Sequence, residues 1–444
     1  MNDAQRIARS LALYRRAKEH IPGVAQLISR RPTRAAFGVS PIYAERAKGC
    51  RIWDVDGNEY IDWHSGVGPI VLGYCDDEVD AAVCAQMARG TVSSLLDENQ
   101  VLLAEELVRL IPSAEMVRFC KGGGEACAIA VRIARAHSGR DKVLFCGYHG
   151  WHDWYLAANL GGEHLAGHLF NGIEPLGVPQ ALEGTALPFT YGDLSELEGL
   201  LQVHGSDVAC IIMEPMRSTE PPDGYLQAVR ALADRHGVLL VFDEVSSGFR
   251  VALGGAQEYL GVTPDLAVFA KAISNGYPLG AVVGRRSCMA AVERLFISSA
   301  YWDDAVGTSA ALATLRALEE RDAVAHFRWI GGLFREQINA AAQRVGAPVE
   351  CAGCAAHPTI RFAIEEPGLL KKVQTLFVQE NARRGVLLAT GLFLNWSHDE
   401  EAVEKTASAV GESLAVIVQA LDVGQVDAAL VSPVQEELFR RQVD

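Results

Sequence analysis

Between about residues 100 and 285, short apolar runs alternate with helix-length amphipathic segments, and no other feature limits the fold of this 444-residue chain so tightly. The runs are MVRFC (116–120), KVLFC (142–146), ACIIM (209–213), VLLVF (238–242), LAVFA (266–270) and LGAVVG (279–284). Continuous apolar runs of this length suit parallel strands buried on both faces, and the segments between them suit covering helices. The helix between the first two runs, Glu125 to His137, places Ala126, Ile129, Ala130, Ile133 and Ala134 on one face. The expected fold class is therefore α/β, with a mostly parallel sheet in a large domain. The flanks read differently. An opening amphipathic helix stops at Pro22-Gly23, and CRIWDVDGNEYIDW sets a hairpin turn at Asp56-Gly57. After a long helix beginning near Ala310, strands TIRFAI (359–364) and GVLLAT (385–390) stand among helices. We expect residues 1–65 to form an arm and hairpin belonging to a smaller α+β domain, 66–320 the large domain, and 321–444 the rest of the small one.

Charge and cysteine usage narrow the partners. Fifty-five acidic against 40 basic residues give a net charge of −15, which opposes general attraction to nucleic acid or to anionic membrane surfaces. No stretch approaches the ~18 apolar residues of a membrane span, and the first residues lack the apolar run of a signal peptide. The ten cysteines lie scattered in apolar surroundings, so reduced thiols and a cytoplasmic location are expected. Cys351 and Cys354 form a C-x-x-C without a second pair, which reads as two packed thiols; no metal site is expected.

Ligands of open α/β sheets gather at the carboxyl ends of the strands. Three groups follow apolar runs there: Glu214 after ACIIM, Asp243 after VLLVF and Lys271 after LAVFA. One strand-helix-strand unit takes ~30 residues, so these groups can share one sheet edge. A lysine at a strand end can simply turn outward to solvent; partly desolvated, it can form a Schiff base with a carbonyl. Asp243 one strand away favours the second reading, because a pyridinium cofactor held on a lysine needs a carboxylate at its ring nitrogen. Such a cofactor carries a phosphate. Lys121-Gly122-Gly123-Gly124, between a strand and a helix, offers backbone N–H groups and the positive end of a helix, or else a plain tight turn. The run fits neither the dinucleotide glycine pattern nor a P-loop. The cluster Gly147-Tyr148-His149-Gly150-Trp151-His152-Asp153-Trp154 can wall a flat ring or form a packed aromatic corner.

Taken together, FCKGGGEA (119–126), YHGWHDW (148–154), MEP (213–215), FDEVSSGFR (242–250) and FAKAISNGYPLGA (269–281) resemble the class III, fold-type-I aminotransferases that use pyridoxal 5′-phosphate. The arm LYRRAKEHIPG (13–23) and GCRIWDVDGNEYID (49–62) is similar to the glutamate-1-semialdehyde aminomutase branch. The resemblance implies a homodimer with active sites at the subunit interface and makes 66–320 the pyridoxal-phosphate-binding domain. It implies that Lys271 forms the Schiff base and shuttles protons, and that Asp243 pairs with the pyridinium nitrogen. Val245 and Tyr148 then lie against the two ring faces, Gly123 and Gly124 hold the phosphate through backbone N–H groups, and Glu214 shapes the pocket. Arg30, Arg217 and His149 are candidates for substrate contact.

The chain departs from the family at several points. Lys121, Gly122 and Gly124 replace the Asn, the Ser and the hydroxyl residue of the usual phosphate loop; Lys121 is a candidate for added charge at the phosphate. The partner-subunit Thr of the family falls near Ala300, with Ser298 or Ser299 as substitutes. Val67 stands where the aminomutase branch has an aromatic residue, and NWSHD (395–399) offers no carboxylate-binding Arg. The expected activity is transfer of an amino group from an amine or amino-acid donor to an aldehyde or ketone, with a polar, hydroxylated, sugar-like acceptor in a biosynthetic pathway as one candidate. An aminomutase, epimerase or decarboxylase keeps the same first carbanion. A non-catalytic ligand-sensing relative is the remote alternative.

Overall fold

The computed structural model describes residues Asn2–Gln435. The chain divides into two compact units, one spanning Asp77–Val324, the other taking the chain up to Asp76 and again from Ala325. The first unit is built on a seven-stranded sheet in the order Met116–Cys120, Gly280–Gly284, Leu266–Phe269, Leu239–Asp243, Val208–Met213, Lys142–Cys146, Ala186–Pro188. All six apolar runs become strands. The seventh, Ala186–Pro188, is three residues long and ends in proline, too short to show a pattern in sequence. Gly280–Gly284 runs antiparallel to both neighbours; the other pairings are parallel. Two antiparallel steps restore direction, so Met116–Cys120 points the same way as the parallel strands and its carboxyl end joins theirs. Every residue of Val208–Met213 is buried, as a strand covered by helices on both faces must be.

The helix expected over Glu125–His137 runs Gly123–Ser138 and buries Ala126, Cys127, Ile129, Ala130, Val131, Ile133 and Ala134. It ends at Gly139, whose φ of 70° is left-handed and open to glycine without steric cost. The long helix near Ala310 is Ala305–Glu320, capped by Asp304, whose carboxylate accepts from the N–H groups of Val306 and Gly307.

The second unit holds a four-stranded sheet, Ala44–Lys48, Arg51–Asp54, Glu59–Asp62 and Val386–Leu387, and an antiparallel pair, Val349–Ala352 with Thr359–Phe362. GVLLAT is split between the two. Val386 and Leu387 pair with Ile61 and Asp62, whereas the Thr390 carbonyl accepts from Ile360 N–H at 2.7 Å. Residues 66–76 stay with this unit because Trp396 N–H donates to the Val71 carbonyl and Ser397 Oγ to that of Leu72, both at 2.8 Å. Among the described residues no helix is long and apolar enough to cross a membrane. Among the described residues no cysteine forms a disulfide, Cys351 and Cys354 included.

Candidate active site

The register of the parallel strands brings their carboxyl ends level: Cys146 lies opposite Met213, Met213 opposite Phe242, and Asp243 opposite Val268. Glu214, Asp243 and Lys271 therefore emerge at one edge. Adjacent acidic residues separate at this edge because side chains alternate across a strand. Asp243 is 3 % exposed, and its Oδ1 accepts from Val245 N–H at 3.0 Å. Its Oδ2 meets His149 Nδ1 at 2.7 Å and accepts from Cys127 Sγ at 3.3 Å. These donors offset the cost of burying a carboxylate. Glu244 turns into the unit interior, where it accepts from Ser247 Oγ and from the N–H groups of Ala256 and Gln257. Burial raises its pKa above the usual carboxylate range.

Lys271 follows its strand in a left-handed conformation with φ 49°, uncommon for a non-glycine residue and characteristic of functional turns. The turn Lys271–Ser274 closes at Asn275, also left-handed with φ 46°. Lys271 Nζ donates to Ser246 Oγ at 3.0 Å, three residues beyond Asp243. Glu214, 3 % exposed, accepts from Tyr148 N–H at 3.2 Å, so it fixes the backbone that carries the Tyr148 ring. Gly147 permits this approach: a Cβ there would lie 2.7 Å from Glu214 Oε2. His168 holds the same turn as a neutral acceptor from Gly147 N–H, since burial and then His149 push its pKa down to about 4.

The glycine turn opens directly into the helix at Gly122, with no side chain capping it, so the first N–H groups of the helix are left for a ligand. Val245 packs against Gly123, where a Cβ would come within 2.9 Å of its Cγ1. A Cβ on Gly124 would fall 3.5 Å from the ring of His152. The Nδ1 of that ring is buried without a hydrogen-bond partner. A phosphate oxygen would satisfy such an orphaned atom, and the donor set of uncapped N–H groups, imidazole, buried carboxylate and amine fits pyridoxal phosphate.

Two sequence expectations, those for His149 and Lys121, are altered by these positions. His149, a candidate for substrate contact, is 1 % exposed with one ring nitrogen on Asp243 and the other 3.2 Å from the Cys146 carbonyl, so it has no face for substrate. Lys121, the candidate for phosphate charge, instead pairs with Asp304 at 2.8 Å and donates to the Pro278 carbonyl at 3.1 Å. Arg30 belongs to the other unit, exposed, with Nη2 on the Gly66 carbonyl at 2.7 Å. Arg217 stands half-exposed beyond the strand Val208–Met213. Ser298 is exposed and Ser299 half-buried, on a surface segment that also displays Phe296 and Tyr301. Cys127, Ser246 and His152 were not singled out by sequence. Only His152 carried a signal, its place in the aromatic cluster.

This edge, with lysine, buried aspartate and phosphate-ready helix start on a fold-type-I sheet, defines a pyridoxal-phosphate transferase. The chain matches the aminotransferase class-III family over residues 35–376 and belongs to that family. It is 36 % identical over 431 residues to a 3-aminobutyryl-CoA aminotransferase of Cloacimonas acidaminovorans, covering 95 % of this chain and 100 % of that one. It is 35 % identical to a glutamate-1-semialdehyde 2,1-aminomutase of Syntrophobacter fumaroxidans, covering 91 % and 97 %. Among solved structures, the FumI protein of Sphingopyxis sp. MTA144 superposes with a TM-score of 0.86 at 28 % identity, covering 96 % and 99 %. The family is one of pyridoxal-phosphate-dependent enzymes.

Proposed function

We propose that this enzyme is a transaminase that takes an amino group from an amine or amino-acid donor and delivers it to an aldehyde or ketone. The convergence of Lys271 and buried Asp243 at one sheet edge carries this reading. Pyridoxal phosphate, when bound, supplies a carbonyl for amine exchange and a ring that accepts the electron pair left on the deprotonated substrate carbon. Lys271 Nζ is the amine that holds the cofactor and then takes and returns the substrate proton, with Ser246 Oγ orienting it at 3.0 Å. Asp243 would set its carboxylate at the ring nitrogen, while Val245 and Tyr148 would flank the ring. The N–H groups of Gly123 and Gly124 would hold the phosphate. Glu214 and His149 act through others, the first on Tyr148, the second on Asp243.

The name of the 3-aminobutyryl-CoA aminotransferase gives it an amine on the third carbon of an acyl thioester, not on the carbon next to the carbonyl, and we extend that preference for an amine away from the carbonyl to this enzyme. Arg30 and Arg217 are the candidates for an anionic part of the substrate. A polar hydroxylated acceptor remains a second candidate. Active sites completed by a second copy of the chain form part of the proposal. Incubating the loaded enzyme with β-amino acids and terminal amines, and following the visible cofactor band together with ketone release, tests the reading. Failure of every donor to bleach the band refutes transamination. The 35 % identity to an aminomutase favours one alternative, internal transfer. That outcome shows as isomerised substrate with no free ketone.

A further inference from the structure

Asp243 Oδ2 has two donors, and the sequence accounts for neither. His149 reaches it from the loop after Lys142–Cys146, Cys127 from the second turn of the helix Gly123–Ser138. The polar atoms of the three side chains lie within 4.8 Å of one another and all three are buried. Among the described residues, Oδ1 accepts only from Val245 N–H, which is fixed by the chain itself two residues on. A carboxylate held by one donor can rotate about its Cβ–Cγ bond; donors on both oxygens from three separate segments set its plane. The thiol lies on the same helix whose first turn presents Gly123 and Gly124. One rigid element thus spans the phosphate end and the ring-nitrogen end of the proposed cofactor site.

We infer that Cys127 is a positioning residue for the reaction, its thiol fixing the plane in which the Asp243 carboxylate meets the cofactor ring nitrogen. The inference rests on the reading that Asp243 faces that nitrogen. The thiol is suited to the role because it keeps its proton: burial first, then the charge of Asp243, raise its pKa well above the ordinary value. It therefore serves the carboxylate as a donor and does not act as a nucleophile.

The test uses the pyridoxal-phosphate-loaded enzyme with Cys127→Ala, Cys127→Ser and Asp243→Asn, each checked by thermal melting. Cys127→Ala is expected to lower kcat about fivefold with KM for the donor within about twofold, the size that loss of one hydrogen bond from a weak thiol donor commands. The pH midpoint of its visible band should move by about half a unit. Cys127→Ser retains an O–H donor and should restore both quantities. A Cys127→Ala spectrum and kcat matching wild type overturn the inference. Equal losses in Cys127→Ala and Cys127→Ser, tracking a lowered melting temperature, also overturn it, because packing alone then explains the residue. If Asp243→Asn leaves the visible band unmoved, the placement of Asp243 at the ring fails, and the role of Cys127 with it. A moved band in Asp243→Asn beside an unmoved one in Cys127→Ala removes only the thiol.

Discussion

Lys121 sits one residue before the glycine turn in sequence, yet its ammonium is directed at Asp304, the residue that caps the helix Ala305–Glu320. Both partners are about one-fifth exposed, so the pair is neither fully screened nor fully buried, and it ties the turn to that helix. Lys121→Ala should leave the dissociation constant for pyridoxal phosphate unchanged and lower stability by about 1 kcal/mol, measured by urea denaturation of the unloaded protein. His152 is the contrasting case. Its Nδ1 is buried without a partner beside Gly124, so His152→Ala should raise that dissociation constant about fivefold in a fluorescence titration. A larger effect from Lys121 than from His152 would reverse the assignment. Lys271, Asp243 and Glu214 could be found in the sequence because polar residues at the ends of apolar runs break a local pattern. Cys127 and Ser246 could not, because each acts on an atom from a different segment and nothing local marks the encounter; His152 had only its place in the aromatic cluster.

Strands and helices of the large sheet are legible for the same reason: continuous apolar runs and a clear 3.6-residue stripe are local signals. The antiparallel direction of Gly280–Gly284 is not, since its residues read like those of its parallel neighbours. NWSHD (395–399) shows how a segment can look like a missing binding site and be a structural anchor. Asn395 Nδ2 donates to Ser65 Oγ, and Ser397 Oγ to the Leu72 carbonyl, both within 3 Å; Asp399 caps the helix Glu400–Asp422. His398 is fully buried and stacked on Trp63 at 4.1 Å. Its Nδ1 accepts from Asn395 N–H at 3.0 Å, and Nε2 lies 3.0 Å from the Asp62 carbonyl, which it can meet only as a donor. A second proton would point Nδ1–H at an N–H group. Burial accordingly depresses the pKa of His398 from 6.5 to about 4. A depressed folded value means the stabilisation is complete above pH 6.5 and is lost as pH falls toward 4, by up to about 3 kcal/mol. His398→Gln should therefore be less stable than wild type at pH 7.5, but should lose less further stability between pH 6.5 and 4.5. Equal slopes of urea midpoint against pH in the two proteins would contradict this account.

At the scale of the whole chain, the net charge of −15 has to coexist with an anionic cofactor, and the proposed site would meet this with uncapped helix N–H groups and the buried Nδ1 of His152 in place of a general positive field. The large unit also carries a surface that charge balance does not explain. Met87, Val92, Leu95, Leu96, Val101, Leu102 and Val108 are exposed along the segment 87–108, Leu95 and Leu96 to about four-fifths. Phe296, at 88 %, and Tyr301, at 72 %, are exposed elsewhere in the same unit. Scattered apolar residues are ordinary on any surface, but two consecutive leucines this open, with five further aliphatic or Met side chains within about two dozen residues, form a face that water disfavours. A second copy of the chain placed there would bury these side chains symmetrically, which makes this segment the candidate interface of the proposed homodimer. Full burial of one leucine is worth about 2 kcal/mol, so placing charges at two of them removes several kcal/mol and adds the cost of burying carboxylates. Leu95→Asp combined with Leu96→Asp should convert a dimer into monomers at micromolar concentration, read by sedimentation velocity, with the melting temperature of the separated chain lowered. Because each active site is proposed to need both copies, kcat should fall at least tenfold in the same variant, and activity of dilute wild type should fall with concentration in parallel with dissociation. A double variant that stays dimeric, or a monomer of full activity, would locate the interface elsewhere or make each site self-sufficient.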